Sequence, residues 1–422
     1  NEGTVTYQIY WTPASTNTGN CIFGLQGVAV GDGDTIDVAY GTAVTVTDAG
    51  IGTVEDQQVS PVSSAVTIAG SPAVDQQTYF QLFRDANKLT SSKNTKNIQT
   101  RKGKSFGYQV LGFGAGGSAL GYAPTQIGIF AFGVRAASPP KATISNLVNS
   151  SGVVATDVTF SGTGRGMGFN AAAVYGFDKG IFAFGEDASG FTAITNLVSN
   201  AGVVATDTAA VSGVSARYTT CGGYGGDKAI AFGGYNPTGY LGISNLINDA
   251  GVVAADTAKP SGVTGRTGSM IVPFGNENSN SLIVYGNTPA AQNMSNIVST
   301  EGVVGNDVTG VGTARGSGAG CRYNVGLGVA AYGTGVAPAP YYSISNKVNI
   351  SGVVATDTSG VGTARTGCGA CGYGGDKGIF GYGAPGGYVS VTNLVNTSGV
   401  IGTDVTGVGT ARTSIAAAGI GQ

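Results

Sequence analysis

The sequence has 422 residues and contains no histidine. This absence excludes catalysis by Ser-His-Asp or Cys-His arrangements, because both need an imidazole as the general base. It also excludes the histidine ligands that zinc, copper and non-haem iron commonly use. The sequence therefore predicts no metal site and no catalytic residues of these classes, and we expect no cofactor.

Charged side chains are also scarce. They make up 10% of the residues, with 21 Lys and Arg against 23 Asp and Glu, for a net charge of −2. Nucleic-acid binding needs clustered cations that neutralise phosphates, so no nucleic-acid partner is predicted. One basic cluster, Lys88 to Lys104, has six cations and no acid. We interpret it as a solvated loop between two strands rather than as a docking site for an acidic partner.

Long apolar runs are absent and cysteines are few. No stretch of 18 or more apolar residues occurs, so no membrane insertion is predicted. The five cysteines are scattered along the chain. Cys368 and Cys371 form a C-x-x-C pair, but no second pair and no histidine completes a metal site. We therefore interpret the cysteines as small, buried apolar residues.

Glycine is abundant instead, with 74 residues, and it bounds the short segments of a repeated unit. An Asp in the tail of this unit recurs at steps close to 50 residues. It lies at Asp157, Asp207, Asp256, Asp307, Asp357 and Asp404. A period of this length is typical of units that are stacked or arranged in a ring.

Each unit contains four short segments bounded by Gly, Ser, Thr or Asn, as strands are bounded by turns. In the last complete unit, the second to fourth segments are Gly378–Gly383, Val391–Val395 and Gly399–Gly402. None is long enough for an ordinary helix or shows a sustained 3.6-residue period. Four antiparallel strands at this spacing describe a β-propeller blade, which buries its faces against the blades on either side.

Residues 120–422 resemble the kelch family, in which an Arg follows a small turn and a later strand ends in glycine. The Arg positions are Arg165, Arg217, Arg266, Arg315, Arg365 and Arg412. The second segments end at Phe132-Gly133, Phe184-Gly185, Phe232-Gly233, Tyr285-Gly286, Tyr332-Gly333 and Tyr382-Gly383. The family's Trp in the fourth strand is replaced by Val throughout. The resemblance implies a kelch-like propeller architecture.

An Asn also recurs in the third segment of every unit, at Asn146, Asn196, Asn245, Asn296, Asn346 and Asn393. A residue kept in every internal copy indicates a structural role, such as a side-chain bond to its own turn. The repeated Asp and Arg lie at the two ends of the connection between units. We predict that they tie neighbouring blades together.

The last Arg-led segment, Gly409 to Gly421, has no partner segments after it. We predict that it pairs with the first second segment, Gly128 to Gly133, so that no strand edge remains exposed. This closure gives a propeller of six blades over residues 116–422. Seven blades remain an alternative, in which Gly112 to Tyr122 is itself a first strand.

Residues 1–115 lack the repeat and contain alternating strand patterns separated by turn signals. These features predict an antiparallel β-sandwich of the jelly-roll type, closed by a strand at Phe106–Phe113. The sequences at 11–20 and 78–85 resemble small jelly-roll modules in structural proteins of tailed bacteriophages. The resemblance implies a module for assembly or docking.

These features predict a non-enzymatic structural and adhesion protein on a virion surface, such as a tail fibre, head fibre or decoration protein. One alternative is an extracellular bacterial filament subunit in which Thr4 to Tyr10 completes a neighbour's sheet. A less favoured one is a glycan-active enzyme, with Glu186-Asp187 or Glu277 as its carboxylates. In the first two interpretations, residues 1–115 bind other copies of the chain or other virion or filament proteins.

The loops after the second segments vary freely among the units and leave the same strand end. Variable loops on a rigid scaffold commonly carry recognition. We therefore predict binding of a host surface glycan or protein through Tyr235, Tyr240, Tyr341, Tyr342 and Tyr388.

Overall fold

The computed structural model describes residues 4–11, 16, 18–31, 34, 38–53, 56–72, 77–84, 126–168, 170–275, 279–335 and 340–421. The chain divides into two compact units, Asn1–Gly117 and Ser118–Gln422. The predicted boundary at 115/116 lies outside the described residues and stays a prediction, and so do the basic cluster, the Phe106–Phe113 strand and the Gly112–Tyr122 segment. The described residues are all β and contain no helix. Within them, no helix is present that could cross a membrane.

The first unit is built around one long strand. Its strands are β1 (Thr4–Val5), β2 (Tyr10–Trp11), β3 (Asn20–Val30), β4 (Val44–Ala49), β5 (Gln58–Val59), β6 (Val66–Ala69) and β7 (Gln77–Arg84). Strand β7 pairs along most of one edge of β3, while β4 and β6 share the other edge. Strand β1 pairs with β6, and β2 pairs with β5.

The sheet of the first unit is mixed, which differs from the purely antiparallel prediction. Strand β4 pairs antiparallel with Asn20–Leu25, whereas β6 pairs parallel with Gly27 and Val28. Because β3 is 11 residues long, one edge has room for both partners. Trp11 donates its Nε1 hydrogen to Asp48 Oδ2 at 2.8 Å and lies against Phe23, with ring centroids 5.7 Å apart.

The second unit consists of six small antiparallel sheets, which we number 1 to 6. Sheet 1 contains β8 (Ile127–Ala131), β9 (Ile144–Val148), β10 (Val158–Thr159) and β28 (Ala416–Ile420). Sheet 2 contains β11 (Ala172–Tyr175), β12 (Lys179–Asp187) and β13 (Gly190–Val198), and sheet 3 contains β14 (Tyr218–Tyr224), β15 (Lys228–Asn236) and β16 (Gly239–Ile247).

The remaining sheets repeat this order. Sheet 4 contains β17 (Met270–Phe274), β18 (Asn280–Val284) and β21 (Ser295–Val298), with a small hairpin of β19 (Asn287–Thr288) and β20 (Ala290–Ala291) between the last two. Sheet 5 contains β22 (Ala319–Tyr323), β23 (Leu327–Ala331) and β24 (Ser345–Val348). Sheet 6 contains β25 (Gly369–Tyr373), β26 (Lys377–Gly383) and β27 (Val389–Val395).

The predicted pairing of the C-terminal segment is confirmed. Strand β28 pairs antiparallel with β8, from Ala416 opposite Ala131 to Ile420 opposite Ile127. It therefore takes the position that the first strand holds in the other five sheets. Sheet 1 is thus assembled from the two ends of the second unit.

The fourth segments differ from the prediction, because each of the six forms only a single-residue bridge to the third strand, and the short strand β10 of sheet 1 lies beyond its fourth segment. Examples are the bridges between Val198 and Val204 and between Val395 and Ile401. The repeated Asn explains the interruption. Asn196 donates Nδ2 to the carbonyl of Ala205 at 2.9 Å, so a side chain occupies an acceptor of the fourth segment.

Neighbouring sheets contact one another through their first strands. These contacts join β11 to β14, β14 to β17, β17 to β22, β22 to β25, β25 to β28 and β28 to β11. Apolar side chains fill the layers between the sheets, as where Ile129 and Ile420 of sheet 1 cluster with Phe182 of sheet 2. The contacts between sheets thus return from sheet 6 to sheet 1.

A glycine at the start of each fourth segment allows this close approach. At Gly152 (φ +83°), a Cβ atom would lie 2.9 Å from the ring of Tyr373 in sheet 6. Both the positive φ and the contact with the ring favour glycine.

Candidate functional site

The six repeated arginines are the largest fully buried side chains of the second unit. Each lies just before a first strand and belongs to a group that we call an arginine network: the Arg, the repeated Asn and Asp of the same sheet, and a Thr or Ser two residues before the Arg. A buried cation is costly unless its donors are satisfied. The donors of each buried guanidinium therefore need acceptors within its network.

The network of sheet 2 shows how this is done. Arg165 donates Nε to the carbonyl of Phe184 at 2.8 Å and Nη2 to Asn196 Oδ1 at 2.6 Å. Its guanidinium carbon lies 4.1 Å from the ring centroid of Phe132, an aromatic residue of sheet 1. One side chain therefore connects two neighbouring sheets.

The carboxylate of the same network holds the connection between the sheets. Asp207 accepts hydrogen bonds from the backbone and side chain of Thr163 and from Asn196 Nδ2, at 2.6–3.2 Å. Arg165 Nη1 lies 3.9 Å from Asp207 Oδ1. The ionic partner is thus 42 residues away in the sequence, whereas the Asp that precedes Arg165 most closely, Asp157, pairs with Arg412.

Burial, hydrogen bonding and charge shift the pKa values of Arg165 and Asp207. Burial is the main cause that lowers the pKa of Arg165 to about 10, and the charge of Asp207 opposes it. Partial desolvation acts to raise the pKa of Asp207. The hydrogen bonds from Thr163 and Asn196 and the charge of Arg165 together outweigh it, so this pKa lies below its ordinary value.

The other five sheets repeat the arrangement. Each Arg donates Nη2 to its Asn at 2.5–2.7 Å, and each Asp accepts from the Thr or Ser hydroxyl at 2.5–2.6 Å. Arg412 stacks over Tyr382 of sheet 6 and bonds Phe132 and Asn146 of sheet 1. The prediction that neighbouring sheets are tied together is confirmed for the Arg, which lies over an aromatic ring of the preceding sheet, while the Asp holds the connection that leads to the Arg.

The network also supports a bend in or just after each second strand. Phe184 has φ +63° and Gly185 has φ +116°, and an aromatic residue at positive φ is strained. The bond from Arg165 Nε to the Phe184 carbonyl and the stacking of Arg217 on its ring hold this bend. In sheet 3, Gly233 takes this position, and its carbonyl accepts from Arg217.

The five predicted tyrosines are distributed over three sheets. Tyr235 and Tyr240 are opposite each other on β15 and β16, with ring centroids 5.4 Å apart, and are 37% and 39% exposed. Tyr341 and Tyr388 are exposed, and Tyr342 is half-buried. Among the described residues, Tyr235 and Tyr240 are the only two of these five tyrosines whose rings contact each other.

Tyr235 and Tyr240 belong to a larger group, which we call the aromatic cluster: Phe191, Tyr218, Tyr235 and Tyr240. The Phe191 ring lies 5.0 Å from Tyr218 and 6.2 Å from Tyr235, between ring centroids. The cluster thus spans sheets 2 and 3. Sequence reasoning missed Phe191 and Tyr218, although one signal was present, because Tyr218 follows its repeat Arg where the other five copies have Gly or Thr.

Charged groups border the aromatic cluster. Tyr218 donates its hydroxyl to Glu186 Oε2, while Lys141 Nζ lies 3.3 Å from Glu186 Oε1 and also donates to the carbonyl of Asp187. Burial, followed by the bond to Glu186, raises the pKa of Tyr218. The phenol thus stays protonated, and both oxygens of Glu186 are engaged. Glu277 lies outside the described residues.

A small cavity lies where the first strands of the six sheets converge. Its volume is about 70 Å³, and its polar lining includes Gln126, Asn170 and Arg322. The Asn170 side chain is 3% exposed, and its amide has no hydrogen-bond partner among the described residues. Ordinary ligand pockets measure roughly 300–1,000 Å³, so this cavity accommodates a few water molecules rather than a sugar.

The cysteines of the second unit are buried thiols. Burial raises the pKa of Cys371 to about 12 and that of Cys368 to about 11. A thiol is a nucleophile or metal ligand as the thiolate, which these values disfavour. Over the ranges described here, no group of three or more Cys, Asp or Glu side chains is arranged to hold a metal ion.

Comparison with protein-family models and with curated proteins finds no match to this sequence.

Proposed function

We propose that the second unit is a six-bladed, kelch-like β-propeller closed by its C-terminal strand. The sequence of sheet contacts, which returns from sheet 6 to sheet 1, supports this architecture. Arg412 supports it independently, because it joins sheet 6 to sheet 1 as the other five arginines join their sheets. The edge of β8 is occupied by β28, which favours six blades over seven.

The chain acts, in this proposal, as a non-enzymatic structural and adhesion protein displayed on a virion, with the propeller as the recognition platform. The observation that carries it is the aromatic cluster, which sets apart the loops of sheets 2 and 3 on a scaffold that is otherwise repeated. Aromatic residues exposed together on a rigid scaffold are typical of recognition surfaces. The virion assignment has its support in the resemblance at 11–20 and 78–85.

A binding role is favoured over an enzymatic one by the state of Glu186 and Asp187, the two candidate carboxylates that the structure describes. Glu186 is bonded to Lys141 and Tyr218, and Asp187 Oδ1 accepts from the backbone of Ser189 at 2.7 Å. A general acid or base needs access to a substrate proton. Both carboxylates already have hydrogen-bonding or ionic partners within the protein.

The first unit serves as the attachment module in this proposal, binding other copies of the chain or other virion proteins. Strand β1 pairs with β6 of its own unit, so the alternative of strand exchange in a bacterial filament gains no support.

A binding experiment with the full chain tests the function. Fluorescently labelled protein is incubated with a panel of bacterial strains and with purified surface polysaccharides, and the polysaccharides are then analysed by mass spectrometry. We expect saturable binding to a subset of strains and an unchanged polysaccharide. Shortened polysaccharide chains would indicate an enzyme, and absence of binding to every surface would contradict an adhesion role.

A further inference from the structure

We propose that the aromatic cluster, bordered by Glu186 and Lys141, is a binding site for an uncharged pyranose of a surface glycan. This proposal rests on the recognition role proposed above and narrows it to one site and one class of ligand. It also narrows the five predicted tyrosines to two, Tyr235 and Tyr240.

The aromatic surface offers what a pyranose needs. A sugar ring has an apolar face of C–H groups that contacts an aromatic face, while its hydroxyls remain in water. Tyr235 and Tyr240 are the exposed members of the cluster, and each combines an aromatic face with a polar hydroxyl. Phe191 and Tyr218 are half-buried and contact each other. Phe191 also contacts Tyr235, so the half-buried pair supports the exposed rings.

The support is rigid, which lowers the entropy lost when a ligand binds. Tyr235 and Tyr240 face each other across a paired β-hairpin. At the other side of the cluster, Tyr218 is fixed to Glu186, and Glu186 is fixed to Lys141. The exposed rings therefore pack on paired strands and beside side chains that already have partners in the protein.

The charges indicate that the sugar is uncharged. Lys141 is engaged by Glu186 and by the Asp187 carbonyl. Arg135, the other cation of the sheet 1 loop, donates Nε to the carbonyl of Pro139 in its own loop. Glu186 and Asp187 balance the charges of Lys141 and Arg135, so these groups give no net positive charge that would attract a carboxylated or sulfated sugar.

An aromatic pair across two strands can also serve only to stabilise its hairpin. The two roles make different predictions, because hairpin stabilisation changes the melting temperature and ligand binding changes the affinity. The substitution of Tyr by Phe keeps the ring and removes the hydroxyl, so it tests whether the ring carries the binding.

The test uses the full chain on an array of neutral hexose and N-acetylhexosamine oligosaccharides beside sialylated and uronic-acid oligosaccharides. The variants are Y235A/Y240A and Y235F/Y240F, and the matched control is Y341A/Y388A, which removes two equally exposed tyrosines from sheets 5 and 6. We expect binding to neutral glycans, with a loss of about tenfold or more in the double Ala variant. The Phe variant and the control should stay within about threefold of the wild type, since each keeps the stacking rings.

Salt provides a second readout. Affinity for a neutral sugar should change less than about twofold between 50 and 500 mM NaCl, because screening acts on charged partners. A melting temperature is measured for each variant, and Y235A/Y240A should unfold within a few degrees of the wild type.

Three outcomes overturn the proposal. They are preferential binding to acidic glycans, loss of binding only in Y341A/Y388A, and an unchanged affinity in Y235A/Y240A. Each would show that the site or the ligand class is a different one, and each would leave an adhesion role intact. Absence of binding to every glycan and every bacterial surface would overturn the proposed function together with this site.

Discussion

The arginine networks and the loops after the second strands are made from adjacent residues of the same repeat. The network residues are the same in every repeat, whereas the loop residues vary. In every sheet the network has an Arg, an Asn, an Asp and a Thr or Ser in the same bonds. Among the described residues, the loops share no such set, and the aromatic cluster lies at sheets 2 and 3. Residues kept in all copies hold sheets together, while the residues that differ are those for which we propose a role in recognition.

The physical basis of the difference is burial. The six guanidiniums are 0–1% exposed, so the loss of any partner leaves a charge or an amide unsatisfied away from water. An exposed loop residue loses little, because water replaces its contacts. The predictions below test this contrast, beginning with the largest expected effect.

Removal of residues 406–422 should cause the largest loss of stability. The deletion removes β28, leaves the edge of β8 open and removes the network of Arg412. We expect a fall in melting temperature of more than about 10 °C, or aggregation through the exposed edge. Differential scanning calorimetry and size-exclusion chromatography measure both.

A synthetic peptide of residues 406–422 provides the control for this deletion. Added in excess, it should restore part of the lost melting temperature, because it can occupy the empty position beside β8. A truncated chain that melts like the full chain would contradict the proposed closure.

Replacement of a single network arginine should have the next largest effect. Arg412→Met and Arg315→Met each remove a guanidinium that donates to a buried Asn side chain and to a buried carbonyl. We expect each substitution to cost about 3–5 kcal/mol in the free energy of unfolding. The comparison of the two variants is as informative as the size of either loss. If the propeller is closed, the C-terminal site is equivalent to the internal one, and urea unfolding should give similar losses for both variants. A much smaller loss for Arg412→Met would mean that sheet 1 and sheet 6 are not joined tightly.

Much of this scaffold could be predicted from the sequence because it repeats. The period located the sheets, and the unpaired Gly409–Gly421 segment predicted the pairing with β8. The pairing inside the networks could not be predicted in this way. Asp157 and Arg165 are near each other in the chain, but they do not pair. Thr163 binds Asp207 of sheet 2 and so places it beside Arg165, while Asp157 pairs with Arg412.

The aromatic cluster was harder to predict because it is not repeated. Its members come from β13, β14, β15 and β16, and their association depends on the register of these strands and on the contact between sheets 2 and 3. Comparison of the repeats finds shared residues directly. It finds a residue such as Tyr218 only as an exception at a shared position.

Acid should weaken the scaffold to a moderate extent. In all six networks, the pKa of the Asp lies below its ordinary value of 3.8, with desolvation outweighed by the hydrogen bonds and the Arg charge. A depressed pKa in the folded state stabilises the fold above the unfolded value. This contribution is lost as pH falls through 3.8 towards the folded pKa. Urea midpoints should therefore be level between pH 7 and 5 and should decline below about pH 4.

Asp207→Asn is the matched variant for the acid effect. It keeps an oxygen for Thr163 and removes one of the six titrating groups, so the decline below pH 4 should be smaller by about one sixth. An equal decline in the variant and the wild type would show that other carboxylates cause it.

Replacement of an exposed loop tyrosine should have the smallest effect, and Tyr388 offers a matched pair with Tyr382 six residues earlier. Tyr388 is 40% exposed in the loop of sheet 6, whereas Tyr382 is fully buried with its ring under Arg412. Tyr388→Ala should change the free energy of unfolding by no more than about 0.5 kcal/mol, since water replaces the contacts of a surface residue. Tyr382→Ala should cost about 3 kcal/mol or more, because it leaves a cavity and removes the aromatic partner of a buried cation. Urea unfolding of both variants measures the difference. A cost for Tyr388→Ala approaching that of Tyr382→Ala would mean that this loop helps to hold the sheets together, and the division between scaffold and recognition surface would then fail at sheet 6.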